Sequence, residues 1–215
     1  MMKIDYKNPQ IPAGIKTIKV PLVQATEASL EGFGQLVSKE EYQHFPIEIV
    51  RWPASGRRKI DEGTGDEAGT VSGDFEFYWE GDFFRGKNQA VGSEYLFGWS
   101  KLPEMADATS TEKPKEVLLW HANYHPDGGQ LFFPLDGKPF ITALALPGDE
   151  ARPEDFVAFK VTGGKGLYIH PNVWHEAIVP LEKKAVFYDE QGAIHARVSI
   201  HFPNEFGVLL RVPFE

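Results

Sequence analysis

The chain has 215 residues and a formal net charge of −9 at pH 7. This acidic balance argues against a surface that binds nucleic acid or an anionic membrane, because either would need a basic patch. The absence of cysteine excludes a disulfide framework, a thiolate zinc site and a cysteine nucleophile. No apolar run approaches the roughly 18 residues of a membrane span, and the N-terminus lacks the apolar stretch of a signal peptide. We therefore expect a cytoplasmic protein.

The first half of the chain predicts an entry arm followed by strands and polar loops. Alternating apolar residues predict a strand at 15–20. Thr26 has the side chain of a helix N-cap, and residues 26–37 predict a short helix followed by a turn at Gly32 and Gly34. Further elements predicted before residue 116 are aromatic strands at 75–79 and 95–99 and polar loops at 53–74 and 103–115.

The second half predicts many short strands separated by turns rich in Gly, Pro, Asn and Asp. The predicted strands are Val117–His121, Gln130–Phe133, Phe140–Leu146, Val157–Val161, Leu167–His170, Glu176–Val179, Ala185–Tyr188, Ala196–Phe202 and Val208–Val212. Their spacing of about ten residues is typical of a β-sandwich or barrel. We expect one all-β domain, with an N-terminal arm and added strands over 1–115, a core over 116–190 and final strands over 191–215.

Four of the seven histidines fall into two clusters beside predicted strands. His121 and His125 form the first cluster, and His170 and His175 form the second. Alternate side chains of a strand share one face of a sheet, and a barrel turns such faces inward. Residues that are far apart in the sequence can therefore converge on one site.

The two clusters resemble the two sequence motifs of the cupin superfamily, which are small jelly-roll β-barrels. In the first motif, Asn123 stands at the first histidine position, His125 at the second and Gln130 at the acidic position. In the second motif, a proline turn at Pro171 leads to His175. The resemblance implies a cupin-type jelly-roll barrel, here with a short N-terminal helix and an elaborated N-terminal half.

The same resemblance implies a divalent metal, Ni, Zn, Mn or Fe, at His125, Gln130 and His175. A full cupin ligand set is three histidines and one carboxylate, whereas this chain has amides at two of those positions. Neutral amide oxygens are weak ligands for these metals. A site without any metal is therefore the other possibility.

A closer resemblance narrows the family to ureidoglycolate lyase, long called ureidoglycolate hydrolase. It is strong over about 116–190 and weak over 15–38, and over 40–115 the chain carries extra material. The stretches that carry it are 125–134, 136–140, 143–149, 163–166 and 170–175. The resemblance implies a small ureido or hydroxy acid as substrate and cleavage of its C–N bond, which in allantoin catabolism gives glyoxylate and urea from ureidoglycolate. It also implies a homodimer.

The resemblance and the spacing together select the candidate site residues. Histidine suits acid and base roles near neutral pH. The candidate catalytic residues are His121, His125, Gln130, His170 and His175. The candidate substrate-binding residues are Asn123, Tyr124, Tyr168, Asn172 and Trp174. The remaining histidines, His44, His195 and His201, are given structural roles.

Departures from the family pattern bear on the substrate. Asn123-Tyr124 stands where the family has Glu-Arg, and Asp189-Glu190 stands where it has Asp-Arg; Gly129 replaces Ser or Thr. Losing two arginines removes the side chains best suited to a carboxylate. We therefore expect the protein to handle ureidoglycolate itself poorly.

Two alternative functions are also compatible with these residues. A cupin isomerase or epimerase of a sugar acid would use the histidines for proton transfer at carbon. A non-catalytic cupin would bind a small metabolite as a sensor.

Overall fold

The computed structural model describes residues 5–51, 58–65, 71–192 and 194–215. The strands of this part, in chain order, are β1 Lys16–Lys19, β2 Leu22–Gln24, β3 Gly34–Val37, β4 Val71–Glu80, β5 Phe83–Asn88, β6 Ser93–Trp99, β7 Glu116–Leu119, β8 His121–Tyr124, β9 Gln130–Pro134, β10 Phe140–Ala145, β11 Val157–Val161, β12 Gly166–Ile169, β13 Trp174–His175, β14 Val179–Pro180, β15 Lys184–Gln191, β16 Val198–His201 and β17 Val208–Pro213. The helices are the α-helix α1, Phe202–Phe206, and the 3₁₀ turns Tyr42–His44, Pro103–Met105 and Pro153–Asp155.

The strands form two sheets, and the predicted all-β class is confirmed. The larger sheet has ten strands in the order β1-β17-β7-β6-β5-β4-β15-β9-β12-β3. The smaller has seven, ordered β16-β8-β13-β10-β11-β2, with β14 also paired to β10. The pairs β1–β17 and β2–β11 are parallel, and the other pairs are antiparallel. Within the described residues neither strand order closes on itself, so both sheets are open.

The core lies between the sheets and is unusually aromatic. Along β4 the side chains alternate, and Phe75, Phe77 and Trp79 are buried. All six residues of β10 are buried, which fits a strand covered on both faces. One hydrophobic cluster includes residues from Val20 to Phe214. The apolar residues that alternate along β4 are thus the ones whose side chains fill the core.

Strand prediction was accurate in the second half of the chain, with differences at the site. The strand at 157–161 occurs as predicted, and most others are within one or two residues. The strand predicted at 176–179 is instead the two short strands β13 and β14. The strand predicted at 117–121 is divided, because β7 ends at Leu119 and β8 begins at His121. Strands β5 and β8 were not predicted.

The short helix predicted to start at Thr26 is wrong, although a turn does occur at Gly32. Thr26 does cap one turn: its Oγ1 accepts from Ser29 N at 3.1 Å, and its carbonyl accepts from Leu30 N at 3.0 Å. The turn does not propagate, because Gly32 has φ +83°, a conformation that leaves the helix. The chain then enters β3, which pairs with β12.

The two predicted polar loops have different outcomes. The predicted loop at 53–74 lies partly outside the described residues, and its last four residues belong to β4. The predicted loop at 103–115 contains only one 3₁₀ turn and is mostly exposed. None of the helices in the described ranges is long and apolar enough to cross a membrane.

The extra strands of the N-terminal half are central to the larger sheet. Strands β4, β5 and β6 lie consecutively between β15 and β7. Strand β15 pairs with β4 over eight residues and with β9 on its other side. The segment 71–99 therefore builds one wall of the space between the sheets.

Candidate active site

A cavity of about 60 Å³ lies between the two sheets. The smaller sheet contributes alternate side chains of β8 and its continuation, together with His175 of β13. The larger sheet contributes aromatic side chains from β4 and β6 and polar side chains from β5, β9 and β15. The polar residues lining it are Tyr6, Asn88, Tyr95, His121, Asn123, His125, Gln130, His175, Glu176, Gln191, His195 and Arg197. Most of these lining residues are buried, so a ligand in this cavity is largely surrounded by protein.

The two motif histidines meet at the Gln130 side chain. Gln130 Oε1 lies 3.0 Å from His125 Nε2 and 2.9 Å from His175 Nε2. The centroids of the two imidazole rings are 5.2 Å apart. On its other side, Gln130 Nε2 donates to Asp189 Oδ1 at 2.7 Å. The predicted convergence of His125, Gln130 and His175 is therefore confirmed.

Hydrogen bonds on the far side of each ring orient the two imidazoles. His125 Nδ1 lies 2.8 Å from the Ala196 carbonyl, and His175 Nδ1 lies 2.8 Å from the Val173 carbonyl. A carbonyl only accepts, so both Nδ1 atoms carry the proton. Burial lowers the pKa of His175 to about 3, and the neighbouring His125 acts in the same direction. Burial likewise lowers the pKa of His125, so both rings are neutral at pH 7 and both Nε2 atoms are unprotonated.

A buried carboxyl group fixes Gln130 from behind. Asp189 is fully buried and accepts from Gln130 Nε2 and, at 3.0 Å, from Asn88 Nδ2. Burial raises the pKa of Asp189 to about 7, against the lowering effect of these two hydrogen bonds. Asn88 is held in turn, because its Oδ1 accepts from Ala90 N at 2.9 Å. The added strand β5 thus supports the histidine centre through Asp189.

A second series of hydrogen-bonded polar side chains lines another wall of the cavity. His121 Nδ1 lies 2.5 Å from Glu176 Oε2, and His121 Nε2 lies 2.9 Å from Ser199 Oγ. Ser199 donates to Asp61 Oδ2 at 2.5 Å, and Tyr6 OH donates to the same oxygen at 2.9 Å. Burial is the main cause of a raised Tyr6 pKa, which keeps the phenol protonated as a donor. Since Ser199 gives its proton to Asp61, it accepts from His121 Nε2–H, and one proton lies between His121 and Glu176.

One cation faces this cavity beside the histidines. Arg197 lies with its guanidinium carbon 4.5 Å from the centroid of the Tyr6 ring and 5.9 Å from that of Tyr95. Its Nε is buried without a hydrogen-bond partner and lies 3.8 Å from Asp61 Oδ2. The expectation of a weak carboxylate site assumed that the pocket lacks such a cation, and that assumption is wrong.

The structure brings five of the predicted site residues together and places five elsewhere. His121, Asn123, His125, Gln130 and His175 all line the cavity. Asn123 pairs with His175 across β8 and β13, and its Oδ1 is buried without a hydrogen-bond partner. The predicted residues that do not line the cavity are Tyr124, Tyr168, His170, Asn172 and Trp174.

Four of the residues placed elsewhere have a structural contact, and Asn172 lies in a turn. Trp174 is fully buried, donates to the Gly148 carbonyl at 2.9 Å and packs edge-on against Tyr124 at 4.6 Å. His170 stacks edge-on against Tyr168 at 5.6 Å. Asn172 adopts φ +64° in the turn that follows.

Tyr168 also explains why glycine occupies position 129. A Cβ at Gly129 would lie 2.2 Å from the Tyr168 hydroxyl oxygen. That hydroxyl accepts from Glu48 N at 2.9 Å. Tyr168 fills the space that a serine or threonine side chain would need.

Several cavity residues were missed by sequence reasoning. Glu176 had a usable signal, because it directly follows His175 in the recognised motif. His195 was given a structural role, yet it lines the cavity with its ring 6.5 Å from that of His125. Asn88 and Arg197 carry no local motif, and only the sheet topology places them here.

The fold and the site define an all-β protein with a buried centre of two histidines and one glutamine, beside a histidine–glutamate pair. Residues 100–198 match the family model described as ureidoglycolate lyase. Relatives named ureidoglycolate lyase include one from Azotobacter vinelandii, 38% identical over 82 residues that cover 37% of this chain and 49% of the relative. One from Pseudomonas savastanoi is 40% identical over 74 residues (34% and 44%), and one from Pseudomonas entomophila is 34% identical over 105 residues (48% and 62%).

Residues 100–198 of this chain are thus similar to the ureidoglycolate lyase family. The matched part spans about half the length of the curated relatives. It includes the four histidines of the two clusters, together with Gln130, Glu176 and Asp189. The strands that supply Asn88 and the aromatic wall lie outside it.

Proposed function

We propose that the protein is a lyase that splits ureidoglycolate into glyoxylate and urea. The observation that carries this proposal is the convergence of His125 and His175 on Gln130 inside a segment that matches the ureidoglycolate lyase family. A cavity of about 60 Å³ is suited to a small polar group rather than to a large ligand. We also propose that the two facing sheets are those of a cupin-type jelly roll.

The reaction requires one proton to move from oxygen to nitrogen. Loss of the hydroxyl proton lets the carbonyl of glyoxylate form while the C–N bond breaks, and the departing urea nitrogen takes up a proton. Glu176 and His121 already share a proton at 2.5 Å and line the cavity. We assign them the role of proton carrier, because His170, the other candidate, does not line the cavity.

The donor set at Gln130 fits a divalent cation. His125 Nε2, His175 Nε2 and Gln130 Oε1 are three acceptor atoms that converge with no proton between them. Asp189 accepts from Gln130 Nε2 and so holds the amide oxygen toward the histidines. Among the described residues no group of three or more histidine or acidic side chains is arranged for a metal, so the amide oxygen is an essential part of this set. When bound, a divalent metal would lower the pKa of the substrate hydroxyl.

A second arrangement of protons satisfies the same residues without a metal. If the Gln130 amide is reversed, its Nε2 can donate to the histidine Nε2 atoms. Protonated Asp189 can then donate to the amide oxygen, because burial raises the Asp189 pKa to about 7. In that arrangement Gln130 orients the substrate by hydrogen bonding. Calorimetric titration with Mn²⁺, Ni²⁺ or Zn²⁺ separates the two cases, with His175→Ala as the control that removes one donor.

The proposed activity is tested by urea release from ureidoglycolate. We expect turnover by the wild type and its loss in His175→Ala. His44→Ala is the matched control, because His44 is an exposed histidine in a 3₁₀ turn away from the cavity. An isomerase or epimerase would instead exchange solvent deuterium into recovered substrate, and a sensor would bind ligand without either change. Urea release that persists in a folded His175→Ala variant would reject the assignment.

Three further properties remain predictions. The homodimer is tested by light scattering at micromolar concentration, where a 24.1 kDa species alone would contradict it. The place in allantoin catabolism follows from the proposed substrate and depends on it, whereas the cytoplasmic location is an expectation from the sequence alone.

A further inference from the structure

We propose that Arg197 binds the carboxylate of the substrate and so determines specificity for an acid. This inference rests on the proposed function, because it concerns the substrate of the same site. Arg197 lines the histidine cavity and also a wider outer cavity. The residues shared by both cavities are Tyr6, Tyr95, His195 and Arg197. Arg197 therefore lies at the passage between solvent and the histidine centre.

Arg197 has hydrogen-bonding capacity that the protein leaves unused. Its side chain is 13% exposed, and its buried Nε has no hydrogen-bond partner. The nearest carboxylate oxygen, Asp61 Oδ2 at 3.8 Å, already accepts from Ser199 and from Tyr6. Asp61 thus balances the charge without taking an N–H. A guanidinium has five N–H donors in a planar fork that matches a carboxylate.

The guanidinium is held in position before any ligand arrives. It lies over the Tyr6 ring at 4.5 Å and near the Tyr95 ring at 5.9 Å. Tyr6 is itself fixed by its hydrogen bond to Asp61. The Arg197 backbone N donates to Thr64 Oγ1 at 3.2 Å. A group held this way loses little freedom when it binds an anion.

The other arginines with described side-chain contacts are placed differently. Arg58 is paired with Glu205, and Arg85 is paired with Glu80. Arg211 also has a buried Nε without a hydrogen-bond partner, yet it lines neither cavity. Among the described residues that line the histidine cavity, Arg197 is the only arginine or lysine. Positions 124 and 190 lack the arginines of the family pattern, and Arg197, just before β16, supplies a positive charge instead.

The test compares two substrates that differ only in the carboxylate. N-(hydroxymethyl)urea has the same hydroxyl carbon and ureido group as ureidoglycolate and splits into formaldehyde and urea by the same proton movement. In Arg197→Met we expect the KM for ureidoglycolate to rise roughly 10- to 150-fold, the loss of a charge-assisted contact. The kcat/KM for N-(hydroxymethyl)urea should stay within about threefold. Arg211→Met is the matched control and should change neither value.

Equal losses on both substrates, or no loss on either, would overturn the assignment. Thermal unfolding checks that Arg197→Met is folded, and Arg197→Lys replaces it if it is not, with a smaller rise in KM expected because the charge remains. If the wild type releases urea from neither compound, the proposed function fails separately. The role of Arg197 as the carboxylate-binding residue is then tested by calorimetric binding of glycolate. Glycolate binding by the wild type that is lost in Arg197→Met supports this role. Equal binding by the two proteins, or no binding by the wild type, refutes it.

Discussion

Replacing Asn88 with alanine tests whether the added strands support the histidine centre. Asn88 ends β5, is 5% exposed and lies outside the segment that matches the family. Its Nδ2 donates to Asp189 Oδ2, and Asp189 Oδ1 accepts from Gln130. Asn88→Ala therefore leaves a fully buried carboxyl oxygen without its donor. It also removes the acceptor of the Ala90 N–H.

The expected loss follows from the two hydrogen bonds. The bond to a buried carboxyl group contributes about 1.5–3 kcal/mol, and the bond from a backbone N–H about 0.5–1.5 kcal/mol. We expect the free energy of unfolding to fall by about 2–4 kcal/mol, and the melting temperature by roughly 4–16 °C for a chain of this size. Gln130 also loses part of its support, so kcat for ureidoglycolate should fall in the folded variant.

Urea denaturation at pH 7.5 measures the change, with an unchanged m-value as the sign of two-state behaviour. Lys87→Ala is the control on the same strand, because Lys87 is exposed and its side-chain contacts lie at the surface: an ion pair with Glu94 at 3.5 Å and the Tyr78 ring, whose centroid is 5.8 Å from Nζ. That change should stay within about 0.5 kcal/mol. If Asn88→Ala costs no more than Lys87→Ala, the buried chain from Asn88 to Gln130 does not support the site and our reasoning is refuted.

Three further changes test the fold around the site. Arg58→Met should lower the free energy of unfolding by about 2–3 kcal/mol, because Arg58 is 8% exposed and binds Glu205 through two N–H groups at 2.9 and 2.7 Å; a loss under 0.5 kcal/mol contradicts this. Gly34→Ala should separate β3 from β12 and lower the melting temperature, because a Cβ would lie 2.0 Å from the Tyr168 carbonyl oxygen; an unchanged melting temperature refutes it. Burial would raise the Asp82 pKa, but hydrogen bonds from Ser100, Asp107 and Lys101 lower it overall. The stability that the Asp82 carboxylate contributes is therefore present at neutral pH and is lost as the pH falls through the lowered pKa. Asp82→Asn should reduce the fall in melting temperature between pH 7 and pH 3, and an equal fall in wild type and variant would exclude the effect.

The sequence predicted what depends on local periodicity and on motif spacing. Strands such as β11 were found because apolar residues recur at the period that fills the core. His125, Gln130 and His175 were found because their spacing places them on facing strands, and the side chains do meet. The cap at Thr26 and the turn at Gly32 were both predicted correctly, but the chain between them forms a single turn instead of the predicted short helix.

The rest of the site could not be predicted because it is assembled by pairing between distant strands. Asn88 reaches Asp189 across 101 residues, and Tyr6 reaches Asp61 across 55 residues. No spacing rule relates such positions. Trp174 and Tyr168 were expected to bind substrate because they stand inside the recognised motif. Their side chains instead pack away from the cavity.

The charge of the pocket shows how a comparison by position can miss a property of the site. The absence of arginine at 124 and 190 led to the expectation that a carboxylate is poorly held. Tyr124 packs against Trp174 outside the cavity, so an arginine at that position would not face the histidines without a change in packing. Arg197 follows His195 near the start of β16 and faces His125 and the outer opening. An acid is recognised by a cation on the cavity wall. In our proposal that cation is Arg197, which precedes β16 and lies outside the two motifs.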